Sequence, residues 1–268
     1  MSLLAASLSA DGSQDGESKT MFLRSSLLDE VVGITHGFTT REGGLSPKPR
    51  DSLNLGRKIG DPPSIVSVNR KRVLEELGLL GHQWVSVTQV HGDHVVEVTP
   101  NANKGIEADG LWTKSPSAAI AITVADCVPL LFAHRSGRAV AAVHAGWRGS
   151  VAKIGAKMVE RFEKAGFKAS DLVVAMGPAI GPCCFEIGSD VVAAIEQAFP
   201  SANAVTQSSN EKCFADLWEL NRLALEEAGI MASQIDNLNK CTFCSSKMFS
   251  YRRDQGQTGR QAGVIARV

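Results

Sequence analysis

Three residues of this chain, Cys127, His144 and His91, are of the types that hold a borderline-soft metal ion, and their sequence context brings them together. The apolar runs AAIAITVADCVPLLFAH and RAVAAVHAG flank Arg135-Ser136-Gly137, a turn signal between two strand-like segments. A hairpin closed there pairs positions whose numbers sum to about 271 or 272, which sets Cys127 opposite His144 or Ala145. His91 lies at a second turn, His91-Gly92-Asp93. One thiolate and two imidazoles form a Cys-His-His set suited to zinc or copper. Structural zinc normally takes four protein ligands, so three leave a position for water or substrate and point to catalysis. Other readings of the same residues stay open. Cys127 alone fits a buried thiol in an apolar strand, and Cys127 with His144 fits the nucleophile and base of a cysteine hydrolase.

The elements that must position these residues are legible from patterning. WVSVTQV and HVVEV are rich in β-branched residues and read as two strands joined by the tight turn at His91. The near-continuous apolar character of the runs around Cys127 and His144 predicts strands covered on both faces. HGFTTREGGLSPKP reads as a strand entering a long loop. A helix follows, with Asp61 as cap, Pro62 in its first turn, Ile65, Val66, Val73, Leu74 and Leu77 on its apolar face, and Gly78 at its end. Val151, Ile154, Met158, Val159 and Phe162 recur at helical spacing over 150–164. Asp216 with Glu219 begins a further helix that Gly229 closes. Strands, helices and strands again predict a mixed α/β (α+β) sandwich.

Composition limits the function classes. A chain of 268 residues, 44% hydrophobic and 21% charged, has enough apolar material for a substantial core. Lys+Arg 28 balance Asp+Glu 28, and no basic cluster extends beyond Asn69-Arg70-Lys71-Arg72, so no nucleic-acid groove is expected. No apolar stretch reaches the roughly 18–20 residues of a membrane helix. Residues 1–20 lack a basic opening and carry Asp11, Asp15 and Glu17, which reads as a flexible tail, with Met21 as an alternative start. Six cysteines without a signal peptide favour a reducing compartment, the cytoplasm. No repeat or long linker interrupts residues 21–268, which are read as a single domain.

QVHG (89–92), ADG (108–110), ADCVPLLF (125–132), VHAGWRG (143–149), GPAIGPCCFEIG (177–188), SYRRD (250–254) and TGR (258–260) resemble the multicopper polyphenol oxidoreductase, or YfiH-like, family. The resemblance runs from about residue 31 to the C-terminus. It implies a layered α/β sandwich of mixed sheets flanked by helices, related to the catalytic domain of cytotoxic necrotizing factors. It also implies metal ligation by His91, Cys127 and His144, with Zn(II) first and copper second in the same site. The activity implied is phosphorolysis of adenosine, inosine, guanosine or methylthioadenosine, joined to deamination of adenosine. Six histidines and no His-x-His pair are too few for a four-copper oxidase.

Phosphorolysis needs phosphate held against the ribose C1′ and a proton for the departing purine, so arginines and a donor should surround the pocket. Arg41 in TTREGG and Arg148 beside the 150–164 helix are the phosphate candidates. Deamination would use a cation-activated water, and Asp109 and Asp126 are the nearest carboxylates to orient a ligand or move a proton. His36 and Asn54 are candidate contacts to purine or ribose. Of Arg252-Arg253, one can face a substrate, because neighbours in a strand point oppositely. Trp112 and Trp147 are read as core before purine stacking, and His94 as a surface or packing residue. Cys183-Cys184 and Cys241-x-x-Cys244 have the composition of a four-sulfur zinc site, yet they flank a long polar segment, and small buried thiols near Gly-Pro turns is the reading preferred. Purine nucleosides and phosphate are the expected partners of a monomer or weak homo-oligomer. The rivals are a peptidoglycan-precursor editing factor and a metal-binding or redox module without turnover.

Overall fold

Alternation along the central strands decides how the layers stack. In the computed structural model, which describes residues 21–57, 59–101, 105–207 and 210–268, a five-stranded sheet runs in the spatial order β1 (Phe22–Leu23), β2 (Ile34–Thr39), β14 (Gln261–Arg267), β6 (Ala118–Val124), β3 (Gln83–Val85). A six-stranded sheet runs β13 (Ile235–Asn237), β9 (Leu172–Met176), β7 (Val128–His134), β8 (Val140–Ala145), β5 (Gly110–Thr113), β4 (Val95–Glu97). Both are antiparallel apart from β3 with β6, β4 with β5 and β13 with β9. A small sheet, β10 (Glu186–Ile187), β12 (Cys213–Ala215) and β11 (Val205–Gln207), completes the set. The tail expected over 1–20 lies outside the described residues.

The two large sheets pack face to face. Ile120, Ile122 and Ile265 of the first meet Leu131, Ala133, Val140 and Ala142 of the second. The opposite faces are covered by helices. Ala119, Ala121, Ala262 and Ala266 are small enough for helix α2 (Pro63–Glu76) to lie close, through Val73, Leu74 and the following Leu77 and Leu79. On the far side Leu130, Phe132 and Val143 take Met158 and Phe162 of α4 (Ile154–Lys164), and Leu220 and Leu225 of α6 (Leu217–Glu227). The result is the expected sandwich of mixed sheets flanked by helices, held by period-two alternation that sends each strand's odd and even side chains into different cores.

Several local expectations are corrected. The run from Ala118 to His134 is two strands in different sheets, because Asp126 takes a left-handed φ of +92° and the chain crosses between sheets at Ala125-Asp126-Cys127. The β7–β8 hairpin pairs Val128 with Ala145 and Pro129 with His144. Its loop spans four residues, closed by the His134 N–H and Ala139 C=O, so the register is longer than the three-residue turn predicted and Cys127 sits just past the last pair. WVSVTQV and HVVEV form no hairpin, since β3 joins β6 while β4 joins β5 in the other sheet. The 150–164 helix is divided: α3 (Trp147–Val151) stops before Lys153, whose φ is +54°, and α4 begins after it. Asp61 does not cap α2; it accepts from the Asn54 amide, and Pro62 holds the cap position.

His36 on β2 is fully buried, and its Nε2 accepts the Ser25 N–H at 2.9 Å. Burial and the neighbouring Arg24 lower its pKa to about 4, against the opposing pull of Asp29 and Asp236. The folded state therefore keeps His36 neutral, and stability from this residue is complete above the unfolded pKa near 6.5 and lost as pH falls toward 4. Urea denaturation between pH 7 and pH 4 should show a loss of about 3 kcal/mol from this source, and His36→Gln should flatten that slope.

Candidate metal centre and cavity

The sheet crossing and two turns bring Cys127, His91 and His144 to one point. Their ligand atoms lie within 4.8 Å of one another, and the two imidazole rings meet edge to face with centroids 4.8 Å apart. His144 is the penultimate residue of β8 and is nearly covered, whereas His91 is exposed on a turn with a left-handed φ of +60°. Gly146 lets them close up, because a Cβ there would meet Cys127 Sγ at 3.1 Å and His91 Cδ2 at 3.4 Å.

A buried carboxylate sets this geometry. Asp109, fully buried at the start of β5, accepts the backbone N–H groups of Val90, His91 and Gly92 at 3.2, 3.0 and 2.7 Å, and pairs with His144 Nδ1 at 2.7 Å. Burial alone would raise its pKa, but the bonds from His144, Gly92 and Val90 overcome that and lower it, so the carboxylate stays ionised. Anchored through Nδ1, His144 offers its other ring nitrogen to Cys127. Gln89 holds the near side of the turn, its amide bonding the Thr123 C=O and its carbonyl accepting the Thr123 N–H, both at 2.8 Å.

Cys127 and His144 form a charge pair. Burial would raise the thiol, but His144 and then His91 pull its pKa down to about 6. Burial would lower His144, but Cys127 and Asp109 lift it to about 9. A thiolate, an imidazole oriented by a carboxylate and a second imidazole fit the donor chemistry of a three-ligand zinc site, and copper takes the same donors.

These residues lie at the wall of a cavity of about 1060 Å³. Among the described residues it is lined by Arg57, Arg70, Arg148, Arg252 and Arg260, with Trp84, Trp147, Phe185 and Tyr251 as aromatic surface. Its one carboxylate, Asp126, is committed: Oδ1 accepts the Thr242 hydroxyl at 2.6 Å and Oδ2 the Arg252 N–H at 2.7 Å. Both oxygens are thus used in holding the C-terminal loop, as those of Asp109 are used in holding the ligands, and each acts here as a positioning residue.

The other predicted contacts fall elsewhere. His36 is packed inside the first sheet. Arg41 faces a separate shallow depression, bonded to Asp51 and stacked on Phe249 at 4.8 Å. Asn54 is buried and reaches the cavity only indirectly, accepting the Arg260 N–H at 3.0 Å and so placing that arginine. Arg148 is at the cavity, lying over Trp147 at 4.3 Å, but in the short α3 and not beside the longer helix. Arg252 lines the cavity, and Arg253 turns away to bond the carbonyls of Thr242, Ser245 and Met248. The division is made by a turn and not by a strand. Trp112 is core, Trp147 faces the cavity, and His94 is exposed. His82 and His134 are bonded to the Arg267 carbonyl and the Ser136 hydroxyl, away from the centre. Arg57, Arg70 and Arg260 were missed. The TGR motif signalled Arg260, while nothing local distinguished the other two from surface arginines.

Because His144 holds a proton to about pH 9 and Cys127 is a thiolate above about pH 6, metal uptake between these values displaces one proton. Zinc affinity should rise about tenfold per pH unit across that window and more steeply below it, as competition titration with a chromogenic chelator will measure. Asp109→Asn should weaken zinc binding by about 10–100-fold.

Residues 35–268 match the model of the multi-copper polyphenol oxidoreductase laccase family. The purine nucleoside phosphorylase YlmD of Geobacillus stearothermophilus is 37% identical over 250 residues, covering 88% of this chain and 91% of that protein. The purine nucleoside phosphorylase YfiH of Escherichia coli is 38% identical over 234 residues, covering 87% and 93%. The crystal structure of the Geobacillus YlmD superposes with a TM-score of 0.85 at 35% identity over 92% of this chain and 98% of that one. With the sheet crossing, the Cys-His-His cluster and this extent of similarity in agreement, the chain belongs to the multi-copper polyphenol oxidoreductase laccase, or YfiH-like, family.

Proposed function

We propose that this chain is a metal-dependent purine nucleoside phosphorylase acting on adenosine, inosine, guanosine or methylthioadenosine, with adenosine deamination as a second activity. The observation that carries this reading is the cavity, in which five arginines and an already bonded carboxylate face a Cys-His-His cluster. Such a surface suits a phosphate dianion. The relatives named as purine nucleoside phosphorylases support the same substrate class. Among the described residues no helix is long and apolar enough to cross a membrane, and the cytoplasm is the proposed compartment.

Phosphorolysis forms a bond from a phosphate oxygen to ribose C1′ and breaks C1′–N9, with the departing purine taking a proton. Arg148, four residues after His144, and Arg252, whose N–H bonds Asp126 next to Cys127, line the cavity and suit the incoming phosphate. Arg70, buried and hydrogen-bonded to the Leu55 carbonyl, is pre-placed in the cavity lining. Trp84 and Tyr251 offer flat faces for a purine. Bound Zn(II) would supply Lewis acidity at His91, Cys127 and His144. Asp109 keeps His144 in one orientation throughout.

A second reading has an observation of its own. Cys127, His144 and Asp109 are linked in the order of a thiol-hydrolase triad, with a depressed thiol pKa. Zinc-free protein that hydrolyses amide or ester substrates and loses this activity on alkylation of Cys127 would favour it.

Chromatography of zinc-loaded protein with adenosine should show phosphate-dependent adenine and ribose 1-phosphate, and inosine without phosphate. Retention of all four nucleosides unchanged would reject the reading. Cys127→Ala should reduce both reactions by at least about 100-fold. Arg148→Met should raise the KM for phosphate by about tenfold or more while sparing deamination. Equal losses in both reactions would remove Arg148 from phosphate binding.

A further inference from the structure

Away from the cluster at Cys127, the structure gathers four more thiols. Cys183 and Cys184 lie on the turn after β9, and Cys241 and Cys244 on the segment after β13. All four Sγ atoms are within 4.8 Å of one another, with Cys184 to Cys244 at 3.4 Å and Cys183 to Cys244 at 3.8 Å. A tetrahedral zinc with bonds of about 2.3 Å places its sulfurs about 3.8 Å apart. The expectation of buried thiols is overturned here, because Cys183 and Cys244 are exposed and Cys184 and Cys241 only partly covered. Apolar packing gives four thiols no reason to converge at a surface.

The backbone is built for this convergence. Gly181-Pro182-Cys183-Cys184 is a tight turn in which the Cys184 and Phe185 N–H groups both donate to the Gly181 carbonyl. Cys241 to Ser245 form a matching turn, closed by the Ser245 N–H on the Cys241 carbonyl. A parallel bridge between Ala179 and Cys241 docks the two turns, with the Thr242 N–H on the Ala179 carbonyl at 2.9 Å. The Gly181 N–H donates to Cys241 Sγ at 3.3 Å, the kind of contact that stabilises a thiolate ligand. A side chain at 181 would meet Cys183 Sγ and the Cys241 Cβ at 3.4 Å and Trp218 at 3.2 Å, so glycine is what permits the approach.

We propose that Cys183, Cys184, Cys241 and Cys244 form a second metal site, a four-thiolate structural zinc centre independent of the Cys-His-His cluster. Each thiol gives up its proton on binding. With no open position the centre does no chemistry; it clips the 177–188 turn to the 240–254 segment. Those two segments carry Ile180, Phe185 and Arg252 into the cavity wall, so the zinc fixes the wall without touching a substrate.

The test uses the full chain carrying Cys127→Ala, which disables the first cluster. Purified from zinc-supplemented medium under reducing conditions, it should retain one zinc per chain by elemental analysis. Cobalt(II) in its place should give the intense thiolate charge-transfer and tetrahedral visible bands of a four-sulfur site. Adding Cys241→Ser should remove that equivalent and those bands. On the unmutated protein, zinc should slow alkylation of the four cysteines together by at least tenfold, with a chelator reversing it, a readout independent of variant folding. A Cys127→Ala chain without bound metal, a cobalt spectrum of nitrogen and oxygen ligands, or loss of two hydrogens to a disulfide joining the pairs in protein purified this way would overturn the proposal.

Discussion

The buried Asp109 carboxylate is the constraint on which the site depends. A fully buried charge costs several kcal/mol unless it is bonded on all sides, and here three successive amides and an imidazole bond it. The converse holds as well. Three amides of one turn can aim at a single carboxylate only if the chain curls tightly around it, and the left-handed conformation of His91 with the small Gly92 beside it supplies that curl. The same carboxylate selects the ring nitrogen with which His144 faces Cys127. One ionised group thereby determines the positions of both histidines.

Asp126, the backbone neighbour of Cys127, performs the corresponding task for the loops that line the cavity. It stands where the chain leaves one sheet for the other, and its left-handed backbone makes that passage in three residues. Its carbonyl takes the Ile180 N–H, and its carboxylate takes Thr242 and Arg252. Segments far apart in the chain are thus tied to the residue that precedes Cys127. The gap between the diverging sheet ends becomes a cavity whose walls are held by hydrogen bonds and not by apolar packing alone. Arginines tolerate their proximity in it because backbone carbonyls hold Arg70 and Arg260, while burial still lowers the pKa of both, that of Arg70 to about 9. An anion entering this space would relieve the remaining repulsion.

The proposed four-thiolate centre belongs to the same mechanical problem. The turn at 177–188 and the segment at 240–254 are long connections that bury Ala179, Ile180, Met248 and Phe249 but bring their four thiols toward the surface. Asp126 pins both from inside, and a zinc would pin them from outside. Both devices bear on the strand-like bridge at Ala179 and Cys241.

The sequence by itself determined the layered class and the approach of Cys127 to His144, for a physical reason, whereas the fold brings His91 to them through Asp109. Near-continuous apolar runs of strand length can be satisfied only by sheets covered on both faces, and a hairpin between two such strands must bring its distal ends together. The approximate pairing of Cys127 with His144 survived an error in register, because the ligand side chains reach across one residue's displacement. The helix at Leu217–Glu227 was equally legible, since Asp216 accepts the Glu219 N–H and the signal is local. Tertiary structure alone decided the crossing at Asp126, the assignment of β3 and β4 to different sheets, and the convergence of two cysteine pairs 57 or more residues apart. It alone decided which polar residues face the cavity. His36, Arg41 and Asn54 are polar residues of types that bind ligands, but residue type does not say whether a side chain's partner is a ligand or the protein itself. Buried hydrogen bonding constrains a side chain as tightly as binding does, and only the fold distinguishes the two.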